Sequence, residues 1–335
     1  MVPHLTTSLT GPLQDLERHV LDRRPEIERW FRSRFAAHEV PFYSSVDLRN
    51  SGFKLAPVDT NLFPGGFNNL NPDFLPLCIH AAMSAIAKQC PDAQKFLLVP
   101  ENHTRNLHYL QSVAALKRIL EGAGLEVRIG SLIPELAGPT EIETAGGEKL
   151  LLEPLARRGN RVGVAGFDPC AVLLNNDLSG GVPAILAGLE QRVVPPLIAG
   201  WSTRRKSQHF VAYDGVAEDF AELVGIDPWL VNPVFAQCGQ VNFAEKAGEE
   251  CLAARVEEVL AQVREKYAEY GITEEPFAIV KADAGTYGMG IMTVYDASEV
   301  KGLNRKQRNK MSVGKEGLQV TEVITQEGVP TFETV

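Results

Sequence analysis

Hydrophobic positions along this chain fall into two periods, and the alternation between them outlines the fold. Residues 13–38 repeat apolar positions at helical spacing on both sides of Pro25, which predicts one or two amphipathic helices. "LPLCIHAAMSAIAKQC" predicts a helix that stops before Pro91, "KFLLVP" a short buried strand, and "NHTRNLHYLQSVAALKRILEGAG" a helix ended by Gly122 and Gly124. "LEVRIG" and "AVLLNND" are further buried strands. "EIETAGGEKLLLEPL" has the form of a hairpin turning at Gly146-Gly147. Strand, helix, strand in succession predicts an open, largely parallel sheet. Residues 181–220 read as helical after each proline break. Residues 244–270 carry the strongest helical stripe, with many i,i+4 charge pairs, and Gly271 ends it. A short strand is expected at Tyr43–Leu48, a basic helix at "NRKQRNKMSV", and a strand over residues 318–335. That last segment stops without a closing helix or polar tail, so the chain reads as cut short.

Composition adds the class. At 335 residues there is room for about two domains of ~150 residues. A softening of the pattern near 195–245, around Pro195-Pro196 and "IDPWLVNPVF", places the boundary between them. Apolar residues at 44% and charged residues at 22% are those of a soluble globular protein. A net charge of −9 argues against nucleic acid or an anionic membrane as partner. No apolar run reaches the ~20 residues of a membrane span, and the N-terminus has no signal-peptide pattern. Five scattered cysteines without a CxxC pair predict a reducing cytoplasmic setting, with neither a disulfide framework nor a zinc site.

The chemistry concentrates in one stretch, "FAIVKADAGTYGMGIMTVYD" (277–296). A P-loop would need a lysine after its last glycine, but Ile291 follows Gly290. A dinucleotide fingerprint should lead into a long helix, whereas this loop runs into the strand-like "IMTVY". What fits is a β-hairpin flap. Its glycines let backbone N–H groups close over phosphate oxygens, and Lys281 on the incoming strand supplies a compact positive charge. An ordinary glycine-rich hairpin with a surface lysine is the bland alternative. This arrangement resembles the ATP-grasp fold, in which a later apolar strand ending in an acidic residue passes beside adenine. "EVITQEGV" (322–329) has that form, with Gln326, Glu327 and Val329 matching the base-reading segment.

Other polar groups gather in loops, where a scaffold can aim them. Residues 44–71 hold Asp47, Arg49, Lys54, Asp59, Asn61, Asn68 and Asn69. Arginine could clamp a carboxylate, the acids an amino group, and the asparagines a zwitterion. "PENHTRN" places Glu101, His103 and Arg105 after a strand, and "LLNNDLSGG" does the same for Asn175, Asn176 and Asp177. Strand ends of this kind are where open α/β sheets bind ligands. "GWSTRRKSQHF" is the strongest basic cluster, with Arg204, Arg205 and Lys206 as candidates for phosphate or carboxylate. His209 alone reads as structural.

Taken together, "FYSSVDLRNSGFKLAPVDTNLFPGGFNNL", "ENHTRN", "LLNNDLSGG", "GWSTRRKSQHF" and "VKADAGTYGMGIMTV" resemble the proteobacterial glutamate–cysteine ligase of the iron-oxidiser type, an ATP-grasp enzyme. The resemblance covers essentially the whole chain and extends about a quarter further than residue 335. It implies an α/β fold, with a Rossmann-like pre-ATP-grasp substrate domain at 1–200 and an ATP-grasp region, incomplete at its C-terminal end, at 201–335. It also implies a reaction: ATP phosphorylates the γ-carboxylate of glutamate, and the amine of cysteine then displaces phosphate, the first step of glutathione synthesis.

Residue by residue, the resemblance assigns Lys281, Asp283, Gly285, Thr286, Tyr287, Gly288, Met289 and Gly290 to the nucleotide phosphates. Gln326 to Val329 go to adenine, and Arg49, Lys54, Arg204 and Arg205 to substrate carboxylates or the transferred phosphoryl group. Mg²⁺ is the implied metal. Its usual acidic ligands would lie after the adenine segment, where only Glu333 remains, so its ligands are left unassigned and the chain is expected to be inactive if cut short. Partners are small molecules, with room for a homo-oligomer. Three alternatives stay open: another ATP-grasp acid–amine ligase, a non-catalytic nucleotide-binding fragment, and a Rossmann-type oxidoreductase or glycosyltransferase, against which the missing GxGxxG counts.

Overall fold

The structure, a computed structural model, describes residues 12–239, 241–285, 290–314, 317 and 319–331. In chain order these form α1 (Pro12–Asp22), α2 (Arg24–Ala37), β1 (Ser45–Asn50), β2 (Leu55–Asn61), α3 (Leu75–Gln89), β3 (Lys95–Pro100), α4 (Leu107–Gly122), β4 (Glu126–Ser131), β5 (Thr140–Glu143), β6 (Lys149–Pro154), β7 (Ala156–Arg158), β8 (Arg161–Gly163), β9 (Ala171–Asn175), β10 (Arg192–Val194), α5 (Lys206–Val224), β11 (Phe235–Cys238), α6 (Glu249–Tyr270), β12 (Ala278–Ala282), β13 (Ile291–Val294), α7 (Ser298–Lys301), α8 (Arg305–Ser312) and β14 (Val323–Glu327). The chain divides into two compact units. One takes in Val40–Ser45 and Asn61–Gly200. The other takes in residues 12–39, Val46–Thr60 and residues 201–331.

The first unit is built on a six-stranded sheet in the order β10-β9-β3-β4-β6-β5. Every pair is parallel except the β5–β6 hairpin at one edge. The continuous apolar runs of β3 and β9 follow from burial on both faces. Because strand side chains alternate, Phe96, Leu98 and Leu173 enter a core with Leu110, Val113 and Leu120 of α4, while Leu97, Val99, Val172 and Leu174 enter a second core with Phe63, Phe167 and Leu186. Helix α4 starts at Leu107, five residues later than the sequence predicts. Asn106 is its cap, accepting from the Tyr109 amide at 3.1 Å, and residues 101–105 are left as the loop after β3.

The segment 181–220 departs further from expectation. Before α5 it holds only short 3-10 turns and the edge strand β10. Pro183, Pro195 and Pro196 hold the residues before them out of the helical region, so no helix propagates between them.

The second unit centres on an antiparallel sheet, β11-β14-β12-β13, with α6 laid across one face. Leu252, Val256, Val259, Val263 and Tyr267 form the buried stripe of α6, at spacings of three and four. That helix begins at Glu249, because Gly248 just before it sits at φ +83°, and Gly271 closes it at φ +65°. The expected basic helix is α8, opened by an Asn304–Gln307 capping box. The expected strand over 318–335 is limited to β14, and residues 332–335 lie outside the described set.

The hairpin β1–β2 belongs largely to this unit, and its tip enters the core. Phe53 stacks on Trp229 with ring centroids 6.0 Å apart and lies edge-on to Tyr267 at 5.5 Å. Strand β2 has no counterpart in the sequence reading, where Pro57 and the surrounding polar residues broke the period. Strands β7, β8 and β11, three to four residues long, likewise have no counterpart there, being too short to show a repeating pattern.

Candidate active site

Strand alternation on β12 and β14 decides which side chains meet. Lys281 pairs with Ile324, and Ile279 with Gln326, so Lys281 and Gln326 share one face. Ala278 pairs with Glu327 and Val280 with Thr325 on the other face, against α6.

On the first face, the Lys281 ammonium donates to Gln326 Oε1 at 2.8 Å and to the Val58 carbonyl of β2 at 2.5 Å. Lys206, at the start of α5, donates to both oxygens of Asp59, at 2.7 and 2.6 Å. Arg204 donates from Nη2 to Thr60 Oγ at 2.8 Å. The Arg204 and Lys206 charges lie over the Trp201 ring, at 4.9 and 4.6 Å, and Lys281 lies 5.6 Å from the ring of Phe210. Asp283, fully buried, accepts from the Ser207 amide at 2.7 Å and its hydroxyl at 2.6 Å, while its carbonyl accepts from the Lys206 amide at 2.7 Å. This carboxylate acts as the N-terminal cap of α5 and fixes the helix start on which Lys206 and His209 ride. The expectation of a phosphate-facing Asp283 gives way to that docking role, because both of its oxygens are engaged: Oδ1 by the Ser207 amide, Oδ2 by the Ser207 hydroxyl and Gln237.

Three cations therefore surround one carboxylate, Asp59, and polar atoms remain without partners. Among the described residues, the buried atoms Arg204 Nη1, His209 Nε2, Gln326 Nε2 and Trp201 Nε1 find no hydrogen-bond partner. A buried donor left unpaired costs ~1–3 kcal/mol, so such a set is suited to an incoming acceptor. The electrostatics agree. Burial pushes the Lys281 amine down to about 8, with Asp59 opposing. Burial also lowers Arg204, again opposed by Asp59. His209 falls to about 4, first through burial and then through the Arg204 charge, so its ring is neutral at pH 7. An anion placed here would relieve each cation.

On the opposite face the outcome differs from expectation. Lys54, from the hairpin tip, is fully buried and donates to Glu327 Oε2 at 2.9 Å and to the Asn232 carbonyl at 3.0 Å, with its ammonium 4.0 Å from the Trp229 ring. Glu327 Oε2 also accepts from Trp229 Nε1 at 3.2 Å and the Val234 amide at 3.0 Å. Neither Lys54 as a substrate clamp nor the Glu327 side chain as a base reader fits this arrangement. Each neutralises the other, and strand parity turns Glu327 away from Lys281. Together they bolt β14 to the hairpin tip from behind.

The remaining candidates are scattered. Arg205 pairs with Glu322. Arg49 is exposed and donates to Thr331 Oγ at 2.8 Å, and Asp47 on β1 is near enough to Lys281 to act on its amine. Gly285 and Gly290, at φ +101° and +63°, flank the flap, and the Lys281–Ile291 pairing bears out a hairpin. Thr286, Tyr287, Gly288 and Met289 lie outside the described residues. Val329 is buried just beyond Gly328.

In the first unit, the strand ends of β3 and β9 do come together. Glu101 accepts from the Asp177 amide at 2.9 Å, and Asn175 donates to the Pro64 carbonyl at 2.7 Å. Asn176 donates to the Pro100 carbonyl at 3.4 Å. Tyr109, which the sequence reading passed over as a helix position, bridges them, donating to Asn175 and accepting from the Glu101 amide at 2.8 Å, with His103 edge-on at 5.8 Å. Asn61 turns back on Phe63, and Asn68 donates to Asn69. Arg105 is exposed. Among the described residues no group of three or more His, Cys, Asp or Glu is placed to hold a metal ion. Of the carboxylates beside Lys281, Asp59 is held by Lys206 and Asp283 by Ser207 and Gln237, so neither is open to a metal ion as it stands. No helix among them is long and apolar enough to cross a membrane.

Comparison with known proteins supplies the family. The model of the family described as glutamate-cysteine ligase (GshA) matches residues 17–335. A crystal structure at 1.90 Å resolution from Methylobacillus flagellatus KT, assigned as a gamma-glutamylcysteine synthetase, is 67% identical with a TM-score of 0.92. It covers 99% of this chain and 78% of its own. A D-alanyl-alanine synthetase A from Vibrio cholerae is 13% identical over 71% of this chain and 60% of its own, with a TM-score of 0.38. A glutathione synthetase-like effector from Globodera pallida is 12% identical over 98% and 74%, with a TM-score of 0.43. At those scores neither of the last two bears on the fold. No curated protein matches the chain.

Proposed function

Since this chain belongs to the glutamate–cysteine ligase family, we propose that it joins the γ-carboxylate of L-glutamate to the amine of L-cysteine with ATP as phosphoryl donor, and that the Arg204–Lys206–Lys281 face of β12 and β14 receives the phosphates. The observation carrying this is the buried cation cluster whose donors Arg204 Nη1 and Gln326 Nε2 have no partner among the described residues.

In the first step a γ-carboxylate oxygen attacks the terminal phosphorus, forming γ-glutamyl phosphate and releasing ADP. In the second, the cysteine amine attacks the acyl carbon, and phosphate leaves with the bonding pair. Negative charge gathers on phosphoryl oxygens in both, so the protein's task is positioning and charge neutralisation. Lys281 and Lys206 neutralise phosphoryl oxygens, Arg204 offers its open Nη1, and the Gln326 amide donates while its carbonyl oxygen holds Lys281. His209, neutral, adds no further charge. The β12–β13 flap closes over the phosphates, and of the 326–329 segment the backbone at Val329, past the paired residues of β14, reads the adenine edge. The unit of Val40–Ser45 and Asn61–Gly200 is then the substrate domain, and the unit that adds residues 12–39 and Val46–Thr60 to residues 201–331 is the ATP-grasp region, in place of a single cut at residue 200. The family's magnesium, when bound, would neutralise phosphate charge.

The test is ATP affinity by calorimetry. Loss of one charge-assisted hydrogen bond, ~1.5–3 kcal/mol, predicts that Lys281→Ala weakens ATP binding about 10- to 100-fold. An unchanged Kd in a folded variant removes Lys281 from the site.

A further inference from the structure

Cys238 and Cys251 are thirteen positions apart, outside any CxxC motif, yet their sulfurs lie 2.8 Å from one another. A covalent S–S bond is ~2.0 Å, so less than about 1 Å separates this contact from a bond. Cys238 ends β11 and is 1% exposed, whereas Cys251, in the first turn of α6, is exposed. Solvent therefore reaches one residue of the pair, and the sulfur of the other, buried residue lies against its sulfur. This asymmetry is what an exchange site needs, with an accessible attacking thiol and a sheltered resolving thiol.

We propose that Cys238 and Cys251 form a thiol–disulfide exchange site for small-molecule disulfides. The Cys251 thiolate attacks one sulfur of RSSR, forming a Cys251–S–S–R bond and expelling RS⁻. The Cys238 thiolate then attacks Cys251 Sγ, forming the Cys238–Cys251 bond and expelling the second RS⁻. The two protein thiols are oxidised by two electrons, the disulfide is reduced, and the two thiol protons end on the two released RSH molecules. The product bond ties the edge strand β11 to α6, one residue from Gln237, which donates to Asp283 at 3.3 Å. Its place in the second unit is independent of the ligase reading, and so is its test.

The reduced full chain is incubated with glutathione disulfide, alkylated with a maleimide and mapped after trypsin, which cuts at Lys246 between the two cysteines. The expected result in the unaltered chain is loss of two alkylatable thiols and one cross-link joining the peptides that contain Cys238 and Cys251. Cys238→Ser should stop at the first step and retain one glutathionyl group on Cys251. Cys251→Ser should leave Cys238 fully alkylatable after unfolding. A lasting glutathionyl group on Cys251 of the unaltered chain, or no cross-link between the two peptides, overturns the proposal. Because the unaltered chain decides it, a misfolded serine variant does not obscure the outcome.

Discussion

Lys54 and Lys281 are both buried amines held near 8, in each case chiefly by burial, and Lys54 is ion-paired directly with a carboxylate that is buried with it. A folded-state value below the ordinary 10.5 means that, between about pH 8 and 10, the unfolded chain binds protons the folded one has released. Stability therefore rises with pH in that window, and it falls again above about 10, where Tyr213 and Tyr270, raised to about 12 by burial, keep protons the unfolded chain loses. Urea melts across pH 7 to 11 should show that maximum, and a monotonic fall from pH 8 would contradict it. The same titration acts on binding in the opposite sense. As Lys281 loses its charge above about 8, ATP affinity should weaken, and Lys281→Arg should remove that limb of the profile. For the buried pair, Glu327→Gln should cost ~3–5 kcal/mol of stability at pH 7, because it leaves the Lys54 charge uncompensated. Combining it with Lys54→Met should recover most of that loss, and simple additivity of the two would show the pair is not coupled.

Among elements, the β1–β2 hairpin and strand β14 matter most to the site. Val58, Asp59 and Thr60 on β2 receive Lys281, Lys206 and Arg204, while Phe53 at the tip anchors the hairpin in the α6 core. Phe53→Ala should therefore destabilise the second unit by ~3–5 kcal/mol and weaken ATP binding as well, since the acceptors move with the tip. If stability falls while ATP affinity holds, the hairpin does not organise the cation cluster. At the far end of β14, a Cβ on Gly328 would lie 2.1 Å from the Phe277 ring. Gly328→Ala should cost ~1–3 kcal/mol by overpacking, with Phe277→Leu in the same chain restoring part of it.

The whole molecule is acidic, at −9, yet it gathers three cations in one buried place. Distant charge repels a nucleotide, while the local cluster, shielded from solvent, is little screened by salt. ATP affinity should accordingly change less than about tenfold between ~50 and ~200 mM salt, against the ~10³-fold or greater loss of a protein making many nucleic-acid phosphate contacts. Catalysis is a property at this scale too. ADP release from ATP with glutamate and Mg²⁺ should depend on cysteine, and release that ignores cysteine would count against the assigned amine acceptor.

Much of this was legible without coordinates. The doubly buried strands β3 and β9, the stripe of α6 and the Lys281 hairpin with its glycines follow from apolar period and local turn chemistry, which a single sequence carries in full. The family followed from the same loops. Tertiary structure alone decided partnership. It turned Gln326 toward Lys281 and Glu327 away from it, joined Lys54 to a carboxylate 273 positions on, bent Asp283 to the start of α5, and set two unremarked cysteine sulfurs side by side. The reason is that periodicity reports whether a position is buried, while strand register and long-range packing determine which group it meets, and a shift of one residue in β14 would exchange the faces of Gln326 and Glu327.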